Sequence, residues 1–249
     1  MRNLIKADLS RIMRKKSVWF VIILMMIVVT FSAIYGVVGA PDRDFSFAVS
    51  TADGIGYIGL IIGLVLVLGV YSDDFKSTTY INTIGRGLTR EKFIIVKFID
   101  VLLIFFGVYL LGGLLILGLM LMLGVNLSSM EAMFLVLRCF TDIINATVSV
   151  MIASAFFYLS ENATLGIIVY LSIELLIPVA LEFLHNVQFV AKYHLDRLYI
   201  SGACSEFSSD FLTGQTARGI LVLILTLVVY IGGAILASVL IFRKKELDF

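Results

Sequence analysis

The chain has 249 residues, of which 60% are hydrophobic and only 15% are charged. Soluble globular domains are about 45–50% apolar and about 25% charged, so this composition excludes a soluble globular protein and a disordered chain. The formal net charge of +1 creates no global field that would attract nucleic acid. The two cysteines, Cys139 and Cys204, are too few for a disulfide framework or a zinc site, and both are predicted to be free thiols.

The apolar residues are concentrated in six long blocks. A helix needs about 20 apolar residues to cross about 30 Å of hydrocarbon. The predicted spans are residues 18–38, 55–71, 99–123, 133–159, 164–182 and 219–242. The first block is longer than the 7–15-residue apolar region of a signal peptide, so we interpret it as a retained helix. The sequence therefore predicts an all-α membrane protein, with residues 1–249 forming a single transmembrane domain of six transmembrane helices.

The distribution of Lys and Arg predicts the orientation of these spans. About fourteen basic side chains lie before the first span, between the second and third spans, and after the sixth. Short loops that are rich in Lys and Arg remain in the cytoplasm. We therefore expect both termini to be cytoplasmic, and the even number of spans is consistent with both lying on the same side.

Two cytoplasmic segments have amphipathic patterns. In residues 1–16, apolar side chains recur at helical spacing among basic ones, which is typical of a helix that lies in the membrane interface. Residues 72–97 form a long loop whose apolar spacing predicts a short amphipathic helix that ends near Gly85 and Gly87. Thr89 is then predicted to be the N-cap of the third span. Such a helix can dock into a groove of a partner. The alternatives are a generic membrane anchor for the first segment and a solvated connector for the second.

The segment before the last span, residues 183–218, is predicted to be external. Apolar residues at helical spacing over 183–198 indicate a short helix, and residues 201–209 read as a polar turn. On the same side, Ser128 and Glu131 have the spacing of a capping box that begins the fourth span.

Few ionisable residues lie inside the spans. Arg138 and Asp142 are four positions apart in the fourth span and therefore share a face, and Glu174 lies at a similar depth in the fifth. We expect Arg138 to approach Asp142, Glu174 or both, because an unpaired charge in hydrocarbon is costly. The functional interpretation is a polar layer on a translocation path, and the structural one is a packed ion pair. Asp100, near the start of the third span, is expected to be solvated.

Catalytic motifs are missing from the sequence. It contains no phosphate-binding G-x-x-x-x-G-K-[ST], no H-E-x-x-H, no C-x-x-C and no G-x-S-x-G. We interpret His185 and His194 as surface residues, since two histidines without a third ligand do not form a metal site. The chain is accordingly expected not to be an enzyme. An intramembrane enzyme, and a channel or structural membrane subunit without an ATPase, remain the alternatives.

The first cytoplasmic loop contains acidic residues, a Ser-Thr pair, a Thr-Arg pair, an apolar residue and a Lys that enters the third span. These are Asp73–Asp74, Ser77–Thr78, Thr89–Arg90, Phe93 and Lys97. Together with the basic first helix, the six spans and the long external segment, this order resembles the membrane subunit of ABC-2 type (type V) ABC exporters. The loop differs from the family pattern in having Thr rather than Ser at position 89, with no proline before it.

This resemblance implies a permease subunit in the cytoplasmic membrane, typically of a bacterium, that exports an amphipathic substrate such as a peptide or a lipid-like molecule. It implies two macromolecular partners besides the lipid bilayer, a cytoplasmic ATP-binding subunit and a second permease chain, and no nucleic acid. The chain itself would hold no cofactor, since ATP and Mg²⁺ would bind the partner ATPase. The residues implied to couple to that ATPase are Asp73, Asp74, Thr78, Ile81, Ile84, Arg86 and Arg90.

Overall fold

The computed structural model describes residues 2–39, 45–72, 79–85, 87–160, 162–185 and 199–244, and about 92% of it is helical. No strand occurs within these ranges. The described α-helices are α1 (Arg2–Met13), α2 (Lys16–Gly39), α3 (Phe45–Leu66), α4 (Thr79–Gly85), α5 (Arg90–Met122), α6 (Ser129–Ser160), α7 (Ala163–Leu171), α8 (Ile177–His185), α9 (Ile200–Thr213) and α10 (Thr216–Lys244). Two π-helical segments, Val67–Ser72 and Ser172–Leu176, continue α3 and join α7 to α8.

Within the described ranges, six helical stretches are long and apolar enough to cross a membrane, which confirms the predicted number. The second begins at Phe45 rather than at residue 55, and the third begins at Arg90 rather than at residue 99. Hydrophobicity alone misses these first turns, because a helix continues beyond its apolar block until a cap ends it. For α5 that cap is Thr89, as predicted: its hydroxyl accepts a hydrogen bond from the backbone N–H of Lys92 at 3.4 Å.

The fourth span, α6, is the central helix of the bundle. It packs against α3, α5, α7, α9 and α10. Its first turn is fixed by the predicted capping box, in which the Ser128 backbone N–H donates to Glu131 Oε2 at 2.7 Å and the Glu131 N–H donates to Ser128 Oγ at 3.3 Å. By contrast, α2 exposes many large apolar side chains, as expected of a helix that faces lipid.

A buried ion pair attaches α1 to the bundle. Lys97 of α5 is 1% exposed, and its Nζ lies 2.6 Å from Asp8 Oδ2 in α1. The apolar side of α1 packs against the bundle, and Ile12 is fully buried in the core. Asp100, one turn further along α5, is also fully buried, so the prediction that it is solvated is wrong. It lies inside because α1 covers this end of α5, which hydropathy could not reveal.

The π-helical segments present backbone carbonyls to side chains from elsewhere in the chain. In the first, the carbonyl of Gly69 accepts a hydrogen bond from Lys15 Nζ at 3.1 Å. In the second, the carbonyl of Ile173 accepts one from the hydroxyl of Tyr199. Pro178 explains the second distortion, because it has no N–H to donate to the carbonyl of Glu174 and its ring crowds that carbonyl.

Two glycines of α3 allow tyrosines to approach its backbone closely. A Cβ atom built on Gly59 would overlap the hydroxyl of Tyr109, and one built on Gly63 would overlap that of Tyr170. The Tyr170 hydroxyl donates to the carbonyl of Gly59 at 3.4 Å. Small residues at four-residue spacing thus bring α5 and α7 close to α3.

The segment before the last span differs from its prediction. Residues 201–209 belong to the helix α9 and do not form a polar turn. Ser201, Ser205, Glu206 and Ser209 lie on one side of an amphipathic helix, and its apolar side, including Ile200 and Phe207, packs in a small core. The left-handed Gly214 (φ +80°) ends this helix. Most of the helix predicted over 183–198 lies outside the described residues, as does His194.

We predict that Asp8→Ala lowers the free energy of unfolding by about 1.5–3 kcal/mol, because it removes the carboxylate that accepts a hydrogen bond from the buried Lys97 ammonium. Replacing both residues, as Asp8→Leu with Lys97→Met, should recover most of that loss. Denaturant titration in detergent can use the fluorescence of Trp19, the single tryptophan, whose Nε1 donates to the carbonyl of Met13 between α1 and α2. The exposed Lys92, changed to Ala, is the matched control; equal losses for Asp8→Ala and Lys92→Ala would contradict the prediction.

Candidate functional site

A polar cavity of about 380 Å³ lies among α3, α6, α9 and the distorted fifth span. We call it the inner chamber. Its charged and amide side chains are Asp53, Arg138, Asp142, Asn145 and Glu174. The residues predicted as an intramembrane polar layer therefore line one space, together with two residues that were not predicted. Polar groups at this depth need partners or water, and the cavity supplies room for water beside them.

The ion pair of Arg138 is not with either predicted partner. Its Nη2 lies 3.0 Å from Oδ1 of Asp53 in α3. Within a helix, a basic residue four positions before an acidic one is the less favourable order, so the pairing of Arg138 with Asp142 has little intrinsic preference. Asp53 became available because α3 begins ten residues earlier than its apolar block.

Glu174 is held by an amide instead of a guanidinium. Asn145 Nδ2 lies 3.2 Å and 3.4 Å from its two carboxylate oxygens. The π-helical segment positions this carboxylate, and the hydroxyl of Tyr199 fixes the segment through the neighbouring carbonyl of Ile173. Burial raises the pKa of Tyr199 above its usual range, which keeps this phenol protonated as the donor.

A second, wider space of about 750 Å³ adjoins the inner chamber on the side of α9 and the start of α10. We call it the outer chamber. The two chambers share four lining residues, which are Arg138, Pro178, Ser201 and Ser205. Glu206 of α9 pairs with Arg218 of α10 at 3.3 Å. Asp210, only 8% exposed, also lines this space, and its Oδ2 has no hydrogen-bond partner among the described residues.

Together the chambers have the chemical character of a binding site. Ligand pockets typically enclose about 300–1,000 Å³, with an apolar lining and a few convergent polar groups. Leu60, Ile173 and Leu175 supply apolar wall in the inner chamber, opposite the carboxylates. Within the described part of the chain, no three His, Cys, Asp or Glu side chains are grouped closely enough to hold a metal ion.

At the other end of the bundle, an aromatic cluster surrounds Phe242, which is fully buried near the end of α10. Its ring centroid lies 5.2 Å from that of Tyr158 in α6, 6.0 Å from that of Phe93 in α5 and 6.1 Å from that of Tyr80 in α4. Arg90 lies over the same ring at 5.7 Å, and its Nη1 donates to the carbonyl of Phe242 at 2.6 Å. Arg243 and Glu91 form an ion pair beside it. We call these residues the Phe242 cluster.

The predicted helix in the first loop is therefore present, and it rests on this cluster. It ends at Gly85, and the left-handed Gly87 (φ +94°) follows, with its N–H donating to the carbonyl of Ile84. Ile81 and Ile84 are half-buried against the protein's own core. The predicted coupling residues Asp73, Asp74, Thr78 and Arg86 lie outside the described residues.

Sequence reasoning missed Asp53, Asn145, Asp210 and Phe242. Pro178 was a usable signal for the Glu174 distortion, since it is the one proline within the predicted spans. Asn145 could also have been predicted from the sequence. It lies three positions after Asp142, which lies four after Arg138, so all three share one face of the helix. Nothing in the sequence indicates which of the many phenylalanines becomes the centre of a cluster.

No family model and no curated protein matches the sequence. The two chambers and the Phe242 cluster are therefore the features of the molecule that bear on its function.

We predict that a double-mutant cycle couples Arg138→Met to Asp53→Asn by about 1 kcal/mol or less, the range of a partly exposed ion pair. Both side chains are about a third or more exposed, at 30% and 43%. Coupling of Arg138→Met to Glu174→Gln should be smaller, because Glu174 bonds to Asn145. Unfolding titrations of the single and double variants measure both coupling free energies, that of Arg138 with Asp53 and that of Arg138 with Glu174. A larger coupling to Glu174 than to Asp53 would contradict the observed pairing.

We predict that Ser205→Cys reacts rapidly with a charged, membrane-impermeant thiol reagent, in a Cys139→Ser background, because Ser205 is exposed and lines both chambers. The adjacent native Cys204 should react slowly. Burial raises its pKa from 9.0 to about 12, which lowers the reactive thiolate fraction at neutral pH roughly a thousandfold. Its labelling rate should rise about tenfold for each pH unit between 8 and 11. Equal labelling rates at pH 7.5 for Cys204 and for the thiol introduced by Ser205→Cys would show that Cys204 is not buried as described.

Proposed function

We propose that the chain is the membrane-spanning permease subunit of an ATP-driven exporter of the ABC-2 type. It would move an amphipathic substrate, a peptide or a lipid-like molecule, across the cytoplasmic membrane of a bacterium. ATP and Mg²⁺ would be bound and ATP hydrolysed by a separate cytoplasmic subunit, so this chain would not be an enzyme. The end with α1, α4 and the Phe242 cluster is then cytoplasmic, and the end with α9 is external.

One observation carries the proposal, namely the contact of α4 with the ends of three spans through Phe242. A short loop helix that touched only solvent would transmit nothing to the bundle. Here Tyr80 is 6% exposed and packs on Phe242, which in turn packs on Phe93 and Tyr158. Displacement of α4 by a bound ATPase would therefore press on the third, fourth and sixth spans together, since packed interiors transmit strain.

The position of the chambers is consistent with a transport path. They lie at the end of the bundle opposite to α4, and α6 reaches both regions. Arg138 and Tyr158 are twenty positions apart on this helix, a distance of about 30 Å. A rigid-body tilt of α6 would therefore change the Phe242 cluster and the chambers at the same time, which is the kind of coupling that an alternating-access transporter needs.

The contacts of α1 support a place for it at the cytoplasmic membrane surface. Its buried side carries Asp8 and Ile12, while Lys6 and Arg14 are exposed. Exposed basic side chains beside a membrane attract anionic lipid headgroups. The lipid-facing spans also leave surface for a second permease chain, identical or different, with which this subunit would pair around a central path.

The first test is isolation of the complex. A tagged chain, solubilised in mild detergent from its native membranes, is expected to retain an ATP-binding chain in a defined ratio, and the complex should hydrolyse ATP. Isolation without any ATP-binding chain would reject the proposal and favour a channel or a structural subunit. A buried nucleophile that labels with an activity-based probe would favour an intramembrane enzyme.

The second test separates attachment of the ATPase from transmission to the spans. We predict that Tyr80→Ala retains the ATPase but reduces transport at least about tenfold, because the ring that contacts Phe242 is gone. Ile81→Asp with Ile84→Asp should likewise uncouple ATP hydrolysis from transport, because both side chains are half-buried against the core of the bundle. The control is Asn126→Asp, which adds a charge in an exposed turn at the opposite end. Normal transport by Tyr80→Ala, with a complete complex, would contradict the role assigned to α4.

A further inference from the structure

The described charges that line the two chambers are unbalanced. Five carboxylates, those of Asp53, Asp142, Glu174, Glu206 and Asp210, face two guanidiniums, those of Arg138 and Arg218. Both guanidiniums already have carboxylate partners, in Asp53 and Glu206. When all seven groups are ionised, three negative charges remain without a cation. An excess of this kind, in clefts with low-dielectric walls, produces a focused negative potential.

Two of the remaining carboxylates have no polar partner within the described part of the chain. Asp210 Oδ2 is buried and accepts no hydrogen bond, although the side chain is more than nine-tenths buried on the wall of the outer chamber. Asp142 lies on the wall of the inner chamber, between the Arg138–Asp53 and Asn145–Glu174 pairs along α6, and no hydrogen bond or ion pair engages it. Asp142 is half-buried, whereas Asp210 is a buried carboxylate without a partner among the described residues, which is costly. Such a group calls for a ligand or water that satisfies it.

We propose that the two chambers bind an amphipathic cation, a molecule that carries an ammonium or guanidinium group beside an apolar portion. This inference rests on the proposed function in identifying that molecule as the transported substrate. Asp142 accepts the cationic group in the inner chamber, and Asp210 accepts it in the outer chamber, so the chambers offer two successive positions along one path.

The walls of the chambers match the apolar portion of such a molecule. Leu60 and Ile173 line the inner chamber beside Asp142. Leu175 lines it as well and is 43% exposed on the surface of the fifth span, so this wall continues to the lipid-facing side. The ring of Tyr199 lines the outer chamber, where an aromatic face can attract a cation.

An anionic headgroup does not fit this arrangement. Among the described lining residues, its contacts of opposite charge would be Arg138 and Arg218, each of which is already paired. It would also lie beside Asp142 and Glu174 in a poorly screened site, where like charges repel strongly. Selection by charge therefore combines attraction of cations with rejection of anions.

Binding can be measured without an ATPase. The purified chain is reconstituted in phosphatidylcholine nanodiscs and titrated with three twelve-carbon probes that carry a dansyl group at one end. The other end is a primary ammonium, its neutral N-acetyl derivative, or a carboxylate. Dansyl anisotropy is recorded with empty nanodiscs as the reference, which removes partitioning into lipid.

We expect saturable binding of the ammonium probe, at least about tenfold tighter than binding of the neutral or carboxylate probe. Asp142→Asn and Asp210→Asn should each weaken it about tenfold, because each retains the shape of the side chain and removes its charge. The control is Glu131→Gln, which keeps the capping box and lies outside both chambers. Trp19 fluorescence checks folding, and if one variant fails to fold, the other supplies the test.

Equal affinity for the neutral probe, or unchanged affinity in the folded Asn variants, would overturn the inference. Such a result would leave the proposed exporter function intact, because no ATPase takes part in the assay. Conversely, charge-selective binding by a chain that never retains an ATP-binding partner would support the cation site and reject ATP-driven export.

Discussion

Charged side chains inside an apolar helix bundle must be paired with other groups or hydrated, and this constraint organises the whole structure. Lys97 reaches Asp8 and thereby attaches the first helix to the bundle. Arg138 reaches Asp53 and joins the second span to the fourth. Asn145 donates to Glu174 and joins the fourth span to the fifth. Apolar contacts between helices in lipid carry no hydrophobic preference for one arrangement, so these few polar contacts contribute much of the specificity of the packing.

The same constraint explains what the sequence predicted well and what it did not. The six helical spans, the Thr89 cap, the Ser128–Glu131 box and the end of α4 near Gly85 follow from local rules of periodicity and capping, and the structure confirms them. The partners of buried charges depend on which helices become neighbours, and no local rule gives that. Asp100 was expected in solvent and is fully buried, at an end of α5 that packs against α1.

The candidate site shows this division most clearly. Arg138, Asp142 and Glu174 could be selected from the sequence because ionisable residues are rare in the spans. Their arrangement depends on two features that hydropathy does not record. One is the early start of α3 at Phe45, which brings Asp53 into the layer. The other is Pro178, whose missing N–H accompanies the π-helical segment that carries Glu174.

The two ends of α6 differ in how densely they are packed, and this difference determines where the protein can move most easily. Around Phe242, aromatic rings and the Arg90 guanidinium fill the space between helix ends, so displacement of one element must move the others. Around Arg138, the helices are separated by open chambers and held by a few hydrogen bonds and two partly exposed ion pairs. A tightly packed end transmits motion, and a hydrated polar end can rearrange at low cost. If ATP binding acts on α4, the change is therefore expected to appear chiefly as altered helix separation at the chambers, where Asp142 and Asp210 line the walls.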